Sequence, residues 1–506
     1  MKRHTAARDR AFNDLGLYWE HNWTADGPVS RPHRAAWEEE VASEIEFYVN
    51  SIQGEAIIRL GGLIPRPPNA NRFFVLNPLG WPRTDFADFA YAGSANIHVR
   101  DLTTGNDVPH QIMKLDGARY LRILAPEVPS AGYKVFEIDS GKGTAPNDEA
   151  ATVSTNGGFT FENDAVKLVI ERSGSIRSLI DKQRGNTELA ATIDNLKLND
   201  FAAKSDDGEP LRVENRGPVS VTVRARSEAG LDHSTAITLY RDSDRVDIRN
   251  ELTANFSDVR YWAFSFALSE PVLRTEEVGA VNLNRLKSAG GDYADTHARY
   301  DHITVNHFAD FTDGSLKKGV TISNPDLAFG KLGHSTVTHL DTATPQLNML
   351  AGGQVDGSWL GIPGQNGNTR FLQRFALRPH GAYDQTAAMK FALEHQNPFV
   401  TGAIISKDGG AYPETTYSLL AVSNPDVLLW ALKLHEDGLE RGLVARLWNI
   451  SDGAATAEIT VTPGLSAASR TTHVETDIET VPLTGTGAMP AAFAHQQMQT
   501  YRLILQ

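Results

Sequence analysis

No cysteine occurs anywhere in the 506 residues. That absence excludes disulfides, thiolate metal sites and cysteine nucleophiles, so any metal must be held by His, Asp or Glu. It leaves the compartment open, because a cysteine-free chain is tolerated in reducing and oxidising surroundings alike. Basic runs are missing too. The 48 Lys and Arg residues stand against 62 Asp and Glu, a net charge of −14. Nucleic acid and anionic membranes are therefore poor partners, while neutral ligands such as sugars or peptides remain open. No apolar stretch is long enough to span a bilayer, and Met1-Lys2-Arg3-His4-Thr5 runs into Ala6-Ala7-Arg8-Asp9-Arg10 rather than the apolar core of a signal peptide. A soluble chain is expected, with a cytoplasmic location favoured. There is no Gly-x-Ser-x-Gly elbow, no phosphate loop, no dinucleotide fingerprint and no repeat of fixed period.

What the sequence does hold is a helical head and a long β-rich remainder. Phe12, Leu15, Tyr18 and Trp19 recur at three- and four-residue spacing after Thr5. A second stripe, Trp37, Val41, Ile45, Tyr48, Val49 and Ile52, follows Ser30 and Pro32, which suit a helix start. Two short amphipathic helices cannot make a core by themselves, so they must pack on each other and on something else. After Gly61-Gly62 the apolar period changes from 3.6 to 2. Phe73 to Leu76, Tyr120 to Leu124 and Tyr133 to Ile138 alternate as strands, suiting a small β-sandwich. A polar segment from Ser140 to Thr155 follows. Beyond it, Ala165 to Ile170, Val219 to Val223 and Arg245 to Ile248 are strand-like, and Ser173-Gly174 predicts a hairpin turn. Almost no helical period is seen up to about Ser406. A last β unit includes Ala457 to Val461 and Tyr501 to Leu505. The expected division is 1–52 helical, 53–140 small β-sandwich, 156–406 large multi-sheet β-domain and 407–506 C-terminal β-domain, a mostly-β fold.

Chemistry concentrates in Glu20-His21-Asn22-Trp23-Thr24-Ala25-Asp26, where an imidazole sits among a carboxylate, an amide and an indole. Such a group can ligand a metal or grip a sugar, yet a lone histidine beside aromatics is more often simply packed. No second ligand at metal spacing lies near it. His435-Glu436-Asp437 has His-x-Asp spacing but reads as a solvated turn. His307-Phe308-Ala309-Asp310 reads as a strand with one buried and one exposed polar face. Asp206-Asp207 and Asp242-Ser243-Asp244 read as surface turns rather than a glycosidase carboxylate pair.

Several phrases resemble the family-38 glycoside hydrolases, the retaining α-mannosidases. Leu76-Asn77-Pro78-Leu79-Gly80-Trp81-Pro82-Arg83-Thr84-Asp85 resembles the phrase that opens their first β-domain, and Val128-Pro129-Ser130-Ala131-Gly132-Tyr133 its closing turn. Phe161-Glu162-Asn163-Asp164 and Gly174 to Lys182 are similar to the start of their large β-domain, a galactose-mutarotase-like supersandwich. Arg378-Pro379-His380 and Arg446-Leu447-Trp448-Asn449 match later phrases, and all stand in family order from about residue 70 to 506. In that family a barrel carrying a His-x-Asp zinc pair and an aspartate nucleophile comes first. A helical bundle then adds one more zinc histidine, in a phrase that reads Glu-His-Thr-Trp-Gly in some members. Glu20-His21-Asn22-Trp23-Thr24 is similar to it. The resemblance implies that His21 is a zinc ligand and that Asn22 and Trp23 contact sugar, although Asn22 and Thr24 depart from the family phrase. It also implies an α-mannoside or related glycan as ligand. The nucleophile and remaining zinc ligands are expected upstream, in a barrel absent from this chain, so that it is inactive alone. The alternatives are a non-catalytic carbohydrate-binding scaffold and a mutarotase-like epimerase; the latter needs a His and Glu pair on a concave sheet, which the sequence does not single out.

Overall fold

A computed structural model of the chain describes residues 4–18, 29–155, 158–204, 207–353, 367–406 and 409–506. It is mostly β, with 45% strand and 14% helix.

Helix α1 (Thr5–Tyr18) lies along α2 (Arg31–Leu63), and the pair is tied by His4 Nε2 to Glu55 Oε1 at 2.8 Å and Arg10 Nη1 to Glu44 Oε1 at 2.8 Å. Helix α2 starts where Ser30 and Pro32 predict but runs past Ile52 and through Gly61-Gly62 to Leu63. Gly61 is a docking position rather than a helix end. A Cβ there would stand 2.1 Å from the carbonyl oxygen of Ala403, and the Gly61 carbonyl accepts from the Ile405 amide at 2.9 Å. Only a residue without a side chain lets strand Val400–Ala403 approach the helix that closely. The expected apolar stripes are only partly covered. Val41 is buried, whereas Phe12, Leu15, Tyr18, Val49 and Ile52 are exposed.

The first sandwich faces a six-stranded sheet against a three-stranded one. The larger sheet holds Arg72–Asn77, Gly132–Ser140, Ile97–Asp101 and Asp107–Val108, joined by Val400–Ala403 and Thr416–Ser418 from much later in the chain. The smaller holds Arg83–Ala90, Ala118–Val128 and His110–Leu115. Phe73, Val99, Leu121, Ile123 and Phe136 fill the space between them. Asn77 explains why two of the quoted phrases belong together. Its amide donates to the carbonyls of Trp81 (2.7 Å) and Pro129 (3.1 Å), and its oxygen accepts from Leu79 N and Arg83 Nε, both at 3.1 Å. One buried side chain thus satisfies the polar groups of both turns.

Residues 152–380 build the largest core. A nine-stranded antiparallel sheet, ordered Arg212–Arg216, Ser220–Ser227, His233–Tyr240, Val246–Leu252, Phe371–His380, Gly319–Ser323, Phe308–Thr312, Val272–Glu277 and Ala280–Leu283, is accompanied by a five-stranded and a four-stranded sheet. Val223, Ile237, Ile248, Trp262, Phe264, Phe311, Ile322, Phe375 and Leu377 meet in this core. The Ser173-Gly174 hairpin is present: Gly174 has φ 88° and Glu171 N donates to Ser175 O at 2.9 Å. Helix α3 (Gln385–Gln396) was not anticipated by the strand period around it. Asp384 caps it by accepting from Ala387 N, and Ala388, Met389, Ala392 and Leu393 are buried in a core shared with Trp448 and Ile450. The last sheets are Leu420–Val422, Ala455–Val461 and Met489–Phe493, and a five-stranded sheet of Val427–Leu434, Leu443–Asn449, Met498–Leu505, Leu465–Thr471 and Asp477–Val481. Among the described residues no helix is long and apolar enough to cross a membrane.

Candidate functional site

His21, Asn22 and Trp23 lie outside the described residues, as does the whole phrase from Glu20 to Asp26. What can be described is its setting: α1 ends at Tyr18 before it, and α2 begins at Arg31 after it, with Ser30 Oγ bonded to His33 Nδ1 at 2.9 Å. Among the described residues no group of three or more His, Asp or Glu is placed to hold a metal ion.

The other acidic and histidine phrases divide. His435 follows strand Val427–Leu434 in a turn; its backbone N donates to Gly442 O at 3.0 Å and Asp437, with a side chain 74% exposed, donates its backbone N to His435 Nδ1 at 3.2 Å. Asp242 sits at φ 53° in a turn. Asp244 is more buried, and burial raises its carboxyl above the usual range despite nearby Arg378. Asp206 falls outside the described residues. The expectation for His307-Phe308-Ala309-Asp310 needs correction. Every residue of Phe308–Thr312 is buried, because the large core covers one face of this interior strand and α3 with the C-terminal sheets covers the other. Asp310 is wholly buried and accepts from Thr312 Oγ1 (2.8 Å) and Thr321 Oγ1 (2.7 Å), with His380 Nε2 2.8 Å away.

A His and Glu pair does exist at the edge of the nine-stranded sheet. His307 Nδ1 is 2.7 Å from Glu276 Oε2, and the His307 ring stands against Trp430. The two residues are 31 apart in sequence, Glu276 on strand Val272–Glu277 and His307 just before strand Phe308–Thr312, so neither spacing nor period points to the pair. Bonded directly to each other, they act as one unit and not as the separated acid and base that proton transfer on two faces of a sugar requires.

Much of the charged face of the nine-stranded sheet is itself filled. Phe86 from the first sandwich stacks on Tyr240 (4.6 Å, 3°), Arg122 lies 4.4 Å over Phe86, and Arg245 lies 4.8 Å over Tyr240. Arg122 forks onto Asp88 with two contacts of 2.7 Å, and Arg245 reaches Asp85 (3.1 Å) and Asp247 (3.0 Å). Arg83 donates to the carbonyls of Glu394 (3.1 Å) and Asn397 (2.5 Å) at the end of α3, where orphan carbonyls and the negative helix terminus favour a cation. Burial raises Glu394, which accepts from Trp81 Nε1 at 2.7 Å, and lowers His395 to about 4. These groups are spent on holding the first sandwich and α3 to the sheet, so the face is not an open concave sugar cleft.

No family model matches the chain, and a search of curated proteins finds no match. Solved structures do match. One is an α-mannosidase from Enterococcus faecalis V583, with 15% identity and a TM-score of 0.73 over 98% of this chain and 63% of that one. Another is a protein in glycosyl hydrolase family 38 from Enterococcus faecalis, with 16% identity and a TM-score of 0.72 over 99% of this chain and 66% of that one. A galactose mutarotase related enzyme from Lactobacillus acidophilus aligns with 44% of this chain at 13% identity with a TM-score of only 0.27. The chain spans less than two thirds of the length of the two glycosyl hydrolase structures it matches, and over that span it shares their fold.

Proposed function

We propose that this chain is the β-rich portion of a zinc-dependent, retaining glycoside hydrolase of the α-mannosidase type. The observation that carries the reading is the fold match over 98% of this chain to a protein described as an α-mannosidase. His21 is proposed as one zinc ligand, with Asn22 and Trp23 beside the sugar. A retaining glycosidase needs a carboxylate nucleophile about 5 Å from its acid partner, and zinc needs three or four ligands; in this reading a catalytic barrel outside these residues supplies them. The surface of the helical pair supports a missing partner. Phe12, Leu15, Leu17, Tyr18, Phe47, Val49, Ile52 and Ile58 are exposed there, a concentration of apolar area that a free surface does not favour. The helices also enclose a groove of about 420 Å³ lined by Ala6, Ala7, Arg10, Glu40, Ser43, Glu44 and Phe47.

The test is to purify the tagged chain from its source cells under mild conditions and assay zinc and aryl α-mannoside turnover before and after separating any bound polypeptide. The expected result is zinc and turnover in the complex, both lost on separation and both lost in His21→Ala. Turnover by the rigorously purified chain alone, or a complex free of zinc and activity, would overturn the reading. The second of these outcomes favours the non-catalytic carbohydrate-binding scaffold.

A further inference from the structure

Trp430 is the extra residue of a β-bulge. Strand Val427–Leu434 pairs with Leu443–Asn449 in register to Leu429↔Leu447 and resumes at Ala431↔Arg446. A bulge of this kind takes a side chain out of the strand alternation and re-aims it. Here the indole is turned onto two rings at once, Trp448 at 5.0 Å and His307 at 5.3 Å, both edge-on. Trp448 is fully buried, but Trp430 is only partly so.

His307 is held from behind. Its Nδ1 donates to Glu276 Oε2 at 2.7 Å, its backbone N donates to the same oxygen at 3.1 Å, and its carbonyl accepts from Gln396 Nε2 at 2.9 Å. The Glu276 side chain is 1% exposed, whereas that of His307 is 24% exposed. A buried carboxylate on Nδ1 fixes the tautomer. Nε2 is then left as an acceptor, and it makes no hydrogen bond among the described residues. The spot lies where three bodies of chain meet. A Cβ on Gly80 would stand 2.4 Å from Leu429 Cβ, so the first sandwich reaches the strand that carries Trp430, with α3 alongside.

We propose that Trp430, His307 and Glu276 form a binding subsite for the ring of a neutral saccharide, in addition to the sugar contacts expected at Asn22 and Trp23. A pyranose has an apolar C–H face that fits an indole and hydroxyls at its rim, one of which donates to Nε2. An anionic ligand is disfavoured by the carboxylate behind the imidazole. A quaternary ammonium is disfavoured because it has no proton to give Nε2, and one part-exposed ring is not an aromatic cage. The inference is independent of the hydrolase reading, because binding by this chain is measured without any turnover.

The experiment is a titration of the indole-¹⁵N-labelled chain with methyl α-mannopyranoside, methyl β-glucopyranoside, methyl β-galactopyranoside and tetramethylammonium chloride. At least one glycoside is expected to give a saturable shift of a single indole resonance, with a Kd of about 1–10 mM. That resonance disappears in Trp430→Phe. Binding weakens at least tenfold in His307→Ala and less in Glu276→Gln, whose amide oxygen still accepts from Nδ1; unchanged circular dichroism establishes that these variants fold. No saturable shift up to about 50 mM glycoside, an equal response in His307→Ala, or a response to tetramethylammonium alone would each overturn the proposal.

Discussion

The helical pair and the nine-stranded sheet spend the same kind of residue in opposite ways. Phe12 and Phe47 on the helices are 67% and 68% exposed, while Phe308 and Phe311 on the sheet are 0% and 2% exposed. Aromatic content does not distinguish the two regions. Closure does: the sheet carries a core on one face and a charged layer covered by the first sandwich and α3 on the other, whereas α2 docks on the first sandwich through its last turns, at Gly61 and Ile64, and leaves Phe47, Val49, Ile52 and Ile58 exposed. Hydrophobic burial contributes roughly 25 cal/mol per Å² of area removed from water, so stability sits in the sheet and the helices hold apolar surface in reserve.

The sharpest way to break this comparison is truncation of one aromatic in each region. Phe375, on the nine-stranded sheet, is wholly buried and edge-on to Phe264 at 4.9 Å, so Phe375→Ala should cost about 3–5 kcal/mol in urea unfolding. Phe47→Ala should stay within about 0.5 kcal/mol. Similar losses in both variants would show that the helical surface is covered in solution.

His395 offers a second, pH-dependent contrast. Burial, joined by nearby Arg245 and Arg374, lowers its pKa from 6.5 to about 4, and its Nδ1 bonds Ser323 Oγ at 2.9 Å. Asp247 and Asp326 act in the opposite sense. The unfolded chain therefore binds more protons than the folded one between about pH 4 and 6.5. Stability should rise with pH across that window and fall as acid charges the ring, by on the order of 3 kcal/mol for this group. Neighbouring Glu394, raised by burial, works with the opposite sign, so the informative quantity is the difference between wild type and His395→Gln. The variant should lose less stability from pH 6.5 to 4; parallel curves would remove His395 from the account.

The smallest effect compares adjacent glycines. A Cβ on Gly61 meets the Ala403 carbonyl, whereas one on Gly62 meets nothing within 4 Å. Gly61→Ala should cost about 1–3 kcal/mol through forced separation of α2 from strand Val400–Ala403, while Gly62→Ala should gain up to about 1 kcal/mol of helix propensity. Melting temperatures moving in the same direction would contradict the docking role of Gly61.

Local pattern was enough for much of the β-structure. Tyr133 to Ile138 falls within strand Gly132–Ser140, Ala457 to Val461 within Ala455–Val461, and the Ser173-Gly174 turn where a left-handed glycine allows it. Period 2 is written residue by residue and needs no knowledge of partners. Helix α3 is not legible from period, because its short run of Ala, Met, Phe and Leu is ambiguous between buried helix and strand; its one local signal is the cap Asp384. The apolar stripe that stops at Ile52 marks the end of α2 too early: the helix runs on to Leu63, where Gly61 answers a neighbouring carbonyl.

The sequence by itself determined the alternation of strands and turns, the lack of thiol chemistry, and the phrases in which Asn77 and Asn163 bond backbone groups of their own turns. Those depend on covalent neighbours and on backbone groups a few residues away. Only the tertiary structure decided that Val400–Ala403 closes the sheet begun at Arg72, that Asp310 is buried, and that Glu276, His307 and Trp430 converge. Such contacts form when distant segments are brought together against loop-closure entropy, by burial of apolar faces that are much alike along the chain and so do not name their partners.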